Sequence, residues 1–382
     1  MRHCAWTVAL GLTLLGCGSS TAENLLDPDS SPADSSVPDV TPDAALSDAP
    51  ADVMADAAAD ADMDASNASD APNDAAEPVA NPLVPPNVEV TTWRGKLPPG
   101  GMLALAIEVT RPAADPPQGE RYPLVVFAHG FQVGEDMYPK TMTHLAKFGY
   151  VAASVDYEGS LIDQDHHAPV EAMGKAIDML TQTPPQEVGP VVDPARIVAA
   201  GHSLGGKGAV WLALEDPRIT ALIAFDPVDD DPSPLPIPSA KRPSIAPEKM
   251  GELKVPSLFL SGSLSPTGEN PCAPSASNAC RFFESVPAGT PAWLGVLDAF
   301  GHMQFLDEYD CPLLCGTCPR DEQAQHETRQ AVFRGLAVAF LELHLRQKSG
   351  YLSWIEGADR AQLAADGMLL DPAAQVSFCA VP

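Results

Sequence analysis

Five residues constrain this chain more than any others: Gly201-His202-Ser203-Leu204-Gly205. An apolar, strand-like run (197–200) leads into them. A helix-like run (204–215) leads out, with Gly206, Ala209 and Ala213 close behind the serine. A chain that passes from strand to helix in so few residues must turn sharply, and small residues on both sides of the serine let the turn close. The hydroxyl then projects above the sheet, and the helix start offers backbone N–H groups to a developing negative charge. A serine at a strand–helix turn can also serve simply as a helix cap. The strand, the flanking glycines and the helix together predict a nucleophile.

The surrounding sequence supports such a turn. VEVTTW, LALAIEV, YPLVVFA, YVAASVDY, ARIVAAGHS, ITALIAFD, VPSLFLSG and PAWLGVLDAF read as strands by their β-branched content and alternation. The continuous apolar run 124–128 suits a strand buried on both faces. TMTHLAKFG reads as a short helix, and Val170, Met173, Ile177 and Leu180 recur at helical spacing. Residues 322–346 read as a long helix. Alternation of strand and helix predicts an α/β fold with a mostly parallel central sheet and helices on both faces. No internal repeat is visible.

The N-terminal part has a different texture. Residues 1–17 begin with Arg2 and His3, continue with a short apolar run and end in Leu14-Leu15-Gly16-Cys17, the build of an export signal. The ending resembles the bacterial lipobox, which implies lipidation at Cys17 and anchoring by acyl chains without a membrane span. Residues 18–87 hold 15 of the 51 acids, no Lys or Arg, and no aromatic residue. Such a stretch buries too little apolar surface to offset chain entropy, so it reads as a disordered acidic tether rich in Ala, Asp and Pro. Asp60, Asp62 and Asp64 share the opening spacing of a calcium loop, but the glycine and closing Glu it requires are missing. The expected organisation is therefore signal peptide 1–17, tether 18–87 and catalytic domain 88–382. The net charge of −29 speaks against nucleic acid as a partner.

A serine nucleophile needs a base, and the base needs an orienting acid. In α/β-hydrolases the chain order is Ser, acid, His. His302, in AFGHMQF, directly follows the last expected strand and is the candidate base. His326 and His344 fall on the terminal helix and read as surface residues. His129, His144, His166, His167 and His202 come too early. The loop after the seventh strand, where the acid usually sits, has no carboxylate before Glu269. Asp226 lies at the tip of the strand before it and is chosen instead. Asp229, Asp230 and Asp231 read as solvated loop charges. The expected oxyanion donors are the backbone N–H groups of Leu204 and Phe131.

These blocks resemble a known family. GHSLGGKGAVWLAL, ALIAFDPVDD, PCAPSASNACRFFE and FGHMQFLDE are similar to successive blocks of chlorophyllases, as is HGFQVGEDMYPKTMTHLAKFGYVAASVDY. The similarity spans roughly residues 123–346. Chlorophyllases are α/β-hydrolases that cleave the phytyl ester of chlorophyll. The resemblance implies a triad of Ser203, Asp226 and His302, in agreement with the order argument. Leu204 stands where chlorophyllases usually have Arg, and the lipobox and acidic tether are foreign to the plant enzymes. The resemblance thus implies a serine esterase, with bulky apolar or polyester-like esters as the substrate class. Amide, thioester or acyl-transfer chemistry on the same triad, or a non-catalytic binding module on the same fold, are the alternatives.

Cys272, Cys280, Cys311, Cys315, Cys318 and Cys379 remain after the signal region, an even number that implies disulfides in an exported chain. Cys272 and Cys280 bracket a short loop and are expected to pair, with Cys379 tied to the cluster at 311–318. That cluster also has a spacing zinc could use, but an oxidising compartment favours disulfides, so no metal and no cofactor are expected. Phe131, Met303 and Phe305 are candidates for an apolar pocket wall, and the Pro-rich stretch 227–250 for a cap over it. The expected location is outside the cytoplasm, lipid-anchored to the bacterial cell envelope at the outer membrane or cell surface.

Overall fold

The computed structural model describes residues 79–98, 104–159, 164–229, 239–269, 271–307, 317–321 and 326–380. The signal region with Cys17, most of the acidic stretch, Asp230, Asp231, Cys311 and Cys315 lie outside the described residues, as does part of the expected cap. Eight strands form one sheet in the order β1-β2-β4-β3-β5-β6-β7-β8. They are β1 Val90–Lys96, β2 Ala106–Pro112, β3 Tyr122–Ala128, β4 Val151–Val155, β5 Val192–His202, β6 Ile219–Phe225, β7 Ser257–Gly262 and β8 Ala292–Leu297. β1 and β2 pair antiparallel, and β2 joins β4 antiparallel. From β4 through β8 every pairing is parallel. This is the expected α/β architecture.

Alternate residues of the central strands feed two cores. Leu124, Val126, Ala128, Ile197 and Ala199 face α2 (Ala168–Gln182) and α3 (Leu204–Glu215). Val125, Phe127, Val198 and Ala200 face α1 (Pro139–Lys147) and α5 (His326–Leu345). Both faces being covered, β3 shows no polar alternation and Leu124 through Ala128 are fully buried. A short α4 (Ala279–Glu284) and three C-terminal helices, α6 (Leu352–Glu356), α7 (Ala358–Ala365) and α8 (Pro372–Cys379), complete the described α-helices.

Two expectations are corrected here. Composition assigns residues 79–87 to the tether, yet they pack on the body. Val79 and Leu83 lie against the α1/α5 core, Pro82 is buried, and His144 Nε2 donates to the Pro82 carbonyl at 2.9 Å. This last part of the acidic stretch carries no acid and has Val79, Leu83 and Val84. The described body therefore begins by Val79, not at residue 88. Among the described residues the disulfides are Cys272–Cys318 and Cys280–Cys379: Cys272 does not pair with Cys280, and Cys379 is bonded to α4 and not to the cluster at 311–318. Cys280 sits on α4, facing the C-terminal α8, and Cys272 lies beside the segment that follows the histidine loop. Proximity in the fold decided the pairing over proximity in sequence.

Candidate active site

The turn between β5 and α3 has the geometry its sequence requires. Ser203 adopts φ 56° and ψ −120°, a conformation unfavourable for a residue with a side chain. The neighbouring glycines explain how it is held. A Cβ on Gly201 would stand 2.2 Å from the Gly205 carbonyl oxygen, and one on Gly205 would stand 2.1 Å from the Ala128 oxygen. Strand β3, the turn and the helix are in backbone contact, so no side chain fits between them.

Three side chains from separate strand ends meet above this turn. Ser203 Oγ lies 2.9 Å from His302 Nε2, and His302 Nδ1 lies 2.7 Å from Asp226 Oδ2. Asp226 is fully buried, while Ser203 and His302 are 8% and 5% exposed. Asp226 follows β6, and His302 opens a short turn (His302–Phe305) after β8. With the proton on Nδ1 directed at the carboxylate, Nε2 is the lone-pair nitrogen that faces the serine hydroxyl. Asp226 Oδ1 accepts a further hydrogen bond from Ser261 Oγ at 2.6 Å, and the Asp226 N–H donates to the Leu260 carbonyl at 2.6 Å. The end of β7, where a carboxylate was missing, thus supplies a donor to the carboxylate of β6. Glu269, further along, is exposed.

Leu204 directly follows the serine, and Gly130, the residue before Phe131, lies beside it. Leu204 is the first residue of α3, so its N–H has no acceptor within the helix. Gly130 lies so near that a Cβ on it would be 3.3 Å from Ser203 Cβ. The Gly130 N–H donates to the Tyr138 hydroxyl at 3.1 Å, and the Gly130 carbonyl faces His129 Nδ1 at 2.8 Å. Because N–H and C=O of a trans peptide point oppositely, the Phe131 N–H is turned away from His129. His129 Nε2 in turn faces Asp156 Oδ1 at 3.1 Å. Burial pulls the Asp156 carboxyl up, but the hydrogen bond and charge of His129 outweigh it and hold the group below the usual range.

The chlorophyllase family model matches residues 106–366. The chain belongs to the chlorophyllase family. It is 28% identical over 251 residues to chlorophyllase-2 of Arabidopsis thaliana, covering 61% of this chain and 76% of the relative. To chlorophyllase-1 of the same plant it is 30% identical over 248 residues, or 59% and 72% of the two chains. A cutinase, est1 of Thermobifida alba, is 22% identical over 175 residues, 46% of this chain and 51% of the cutinase. The protein is thus an α/β-hydrolase and a carboxylic ester hydrolase.

Other sequence-derived candidates fall elsewhere in this chlorophyllase fold. Met303 and Phe305 lie in the core on the α1/α5 side of the sheet: they are 4% and 0% exposed, and Phe305 stacks on Phe225 with centroids 5.9 Å apart. A one-turn helix carries both inward, a direction that the run Met303-Gln304-Phe305 does not reveal in sequence. Phe131 is partly exposed and packs against the other core. His326 is half-buried against Gln304, and His344 packs on Trp293 and Phe340, so neither is the free surface residue expected. Asp229 is not a solvated loop charge. It is buried, 3.0 Å from the buried Lys207 Nζ, and accepts from Ser244 Oγ and the N–H groups of Ile245 and Ala246. That cluster ties the described part of the Pro-rich stretch to α3.

Proposed function

We propose that Ser203, His302 and Asp226 hydrolyse carboxylic esters through an acyl-enzyme. Ser203 Oγ attacks the ester carbonyl carbon while His302 Nε2 takes its proton. Leu204 and Phe131 N–H groups receive the negative oxygen of the tetrahedral adduct. The imidazolium, held by Asp226, then gives its proton to the departing alkoxide, leaving Ser203 acylated. Water repeats the sequence: His302 takes one proton from it as its oxygen attacks, then returns a proton to Ser203 as the acid leaves. The observation that carries this reading is the continuous hydrogen-bonded line from Ser203 through His302 to Asp226 at a strained strand–helix turn.

The substrates we assign are esters with bulky apolar parts. Relatives named for chlorophyll and for cutin both support that class. We further propose export, lipidation at Cys17 and a tethered location on the cell envelope. Two disulfides fit an oxidising compartment, and the signal region fits the lipobox. The test is steady-state kinetics of the purified enzyme on ester, amide and thioester probes sharing one acyl group, then on phytyl and polyester substrates. Ser203→Ala should abolish ester turnover. Retained turnover in that variant would overturn the mechanism. Cys17→Ser should move the protein out of the membrane fraction, and unchanged sedimentation would overturn the anchor.

A further inference from the structure

We infer that His202, the residue just before the nucleophile, is a positioning residue that holds the oxyanion loop and the base loop in one register, with Tyr138 as its partner. The inference rests on the triad reading above. The imidazole of His202 is 1% exposed, and both of its nitrogens are engaged. Nε2 lies 3.0 Å from the backbone carbonyl oxygen of His302, which can only accept, so Nε2 carries the hydrogen. Nδ1 is then a lone pair, and Tyr138, 2.9 Å away, must donate to it. The Tyr138 oxygen in turn accepts from the Gly130 N–H at 3.1 Å. Every proton in this line has one place.

The line runs from Gly130, beside the expected oxyanion donor Phe131, through Tyr138 and His202 to the carbonyl of the base itself. His202, within this line, is covalently joined to the nucleophile. A second proton on His202 would turn Nδ1 into a donor and leave the Tyr138 O–H without its acceptor. Burial, and then the neighbouring His302, keep the ring neutral by pushing its pKa well below the usual histidine range. Contact is close enough to transmit a shift: a Cβ on Gly130 would stand 3.0 Å from His202 Nδ1, and the His202 and His302 ring centroids are 4.7 Å apart. Displacement of the base or the oxyanion donor by a fraction of an ångström acts on turnover more than on substrate binding.

The test is kinetics on full-length enzyme with p-nitrophenyl butyrate, with melting curves as a control for folding. His202→Leu should lower kcat about a hundredfold, with KM changing less than about threefold. His202→Gln presents one amide donor and one acceptor and should recover at least about tenfold of that loss. Tyr138→Phe removes a single oxygen, orphans the Gly130 N–H and should lower kcat about tenfold. If the line acts as a unit, the His202→Leu/Tyr138→Phe double variant is no slower than His202→Leu alone. Should His202→Leu fail to fold, His202→Gln and Tyr138→Phe carry the test. Unchanged kcat in Tyr138→Phe, or losses that multiply in the double variant, would overturn the inference. Ser203→Ala separates the two readings: an inactive Ser203→Ala beside an unimpaired His202→Leu defeats only the positioning role, whereas an active Ser203→Ala defeats the triad.

Discussion

Asp226 accepts from two side chains, His302 Nδ1 and Ser261 Oγ. Losing the charge altogether is severe: Asp226→Asn should cut kcat on the order of 10⁴-fold, because an amide favours the wrong imidazole tautomer. Ser261→Ala leaves the charge but frees the carboxylate to rotate. It should lower kcat about tenfold, roughly the worth of one charge-assisted bond, with KM unchanged on the same ester; a KM effect alone would place Ser261 in substrate binding. Asp229→Asn acts differently. It leaves the Lys207 charge buried with a weaker partner and should cost about 3 kcal/mol of stability, read as a lower denaturant midpoint, with turnover per folded molecule little changed. The meeting of Ser203, Asp226 and His302 was legible because each sits at a strand end in a fixed chain order. Ser261, Tyr138 and Asp229 were not, because their roles depend on partners 35, 64 and 22 residues away, as for Ser261–Asp226 and Tyr138–His202. One signal was present: a serine closes β7 at the place where the acid was missing.

The β5–α3 element carries the strictest demand. Gly205→Ala would set a methyl 2.1 Å and 2.3 Å from the carbonyl oxygens of Ala128 and His129, neither of which can swing aside as a side chain would. The variant should lose more than about 3 kcal/mol, in the range of severe overpacking. Poor soluble yield and a depressed melting point would report it; a normal melting point would show that β3 and α3 can separate. Strands and the longer helices were readable because each buries a continuous run or a regular stripe. α3 matches its expected span, and α5 begins at His326 within the longer run read as helix. The short elements were not. α4 has six residues and α6 five, too few for a period to register. Their placement is also set from outside, α4 and α8 being joined by Cys280–Cys379. The histidine loop is braced in the same manner. Cys318 is bonded to Cys272, and a Cβ on Gly301 would stand 2.0 Å from the Pro319 carbonyl oxygen. The segment after His302 is thus fixed against the backbone just before it.

At the scale of the molecule, composition marks where the acidic stretch ends but not where packing begins. Residues 79–87 carry too few apolar groups to look like core, yet Leu83 lies against Gly335 of α5 and Pro82 accepts from His144. A fragment 88–382 should therefore be less stable than 79–382 by about 2 kcal/mol, the scale of burying one or two aliphatic side chains. The difference should depend on pH, and its sign follows from His144. Burial drives the His144 pKa down to about 4, against the partial opposition of the Pro82 carbonyl. An unfolded chain takes up that proton near pH 6.5, so between about 6.5 and 4 the unfolded state binds more protons and stability falls as pH falls. The full penalty approaches about 3 kcal/mol near pH 4 and is absent above about pH 7.5. Removing 79–87 opens His144 to water and moves its pKa back toward the ordinary value, so the fragment escapes part of that penalty. Denaturant titrations of the two proteins at pH 8 and pH 5 should show a wide gap at pH 8 and a narrower one at pH 5. His144→Gln in the longer protein should flatten its own decline over the same range. A gap that stays constant, or widens toward acid, would mean that residues 79–87 do not bury His144.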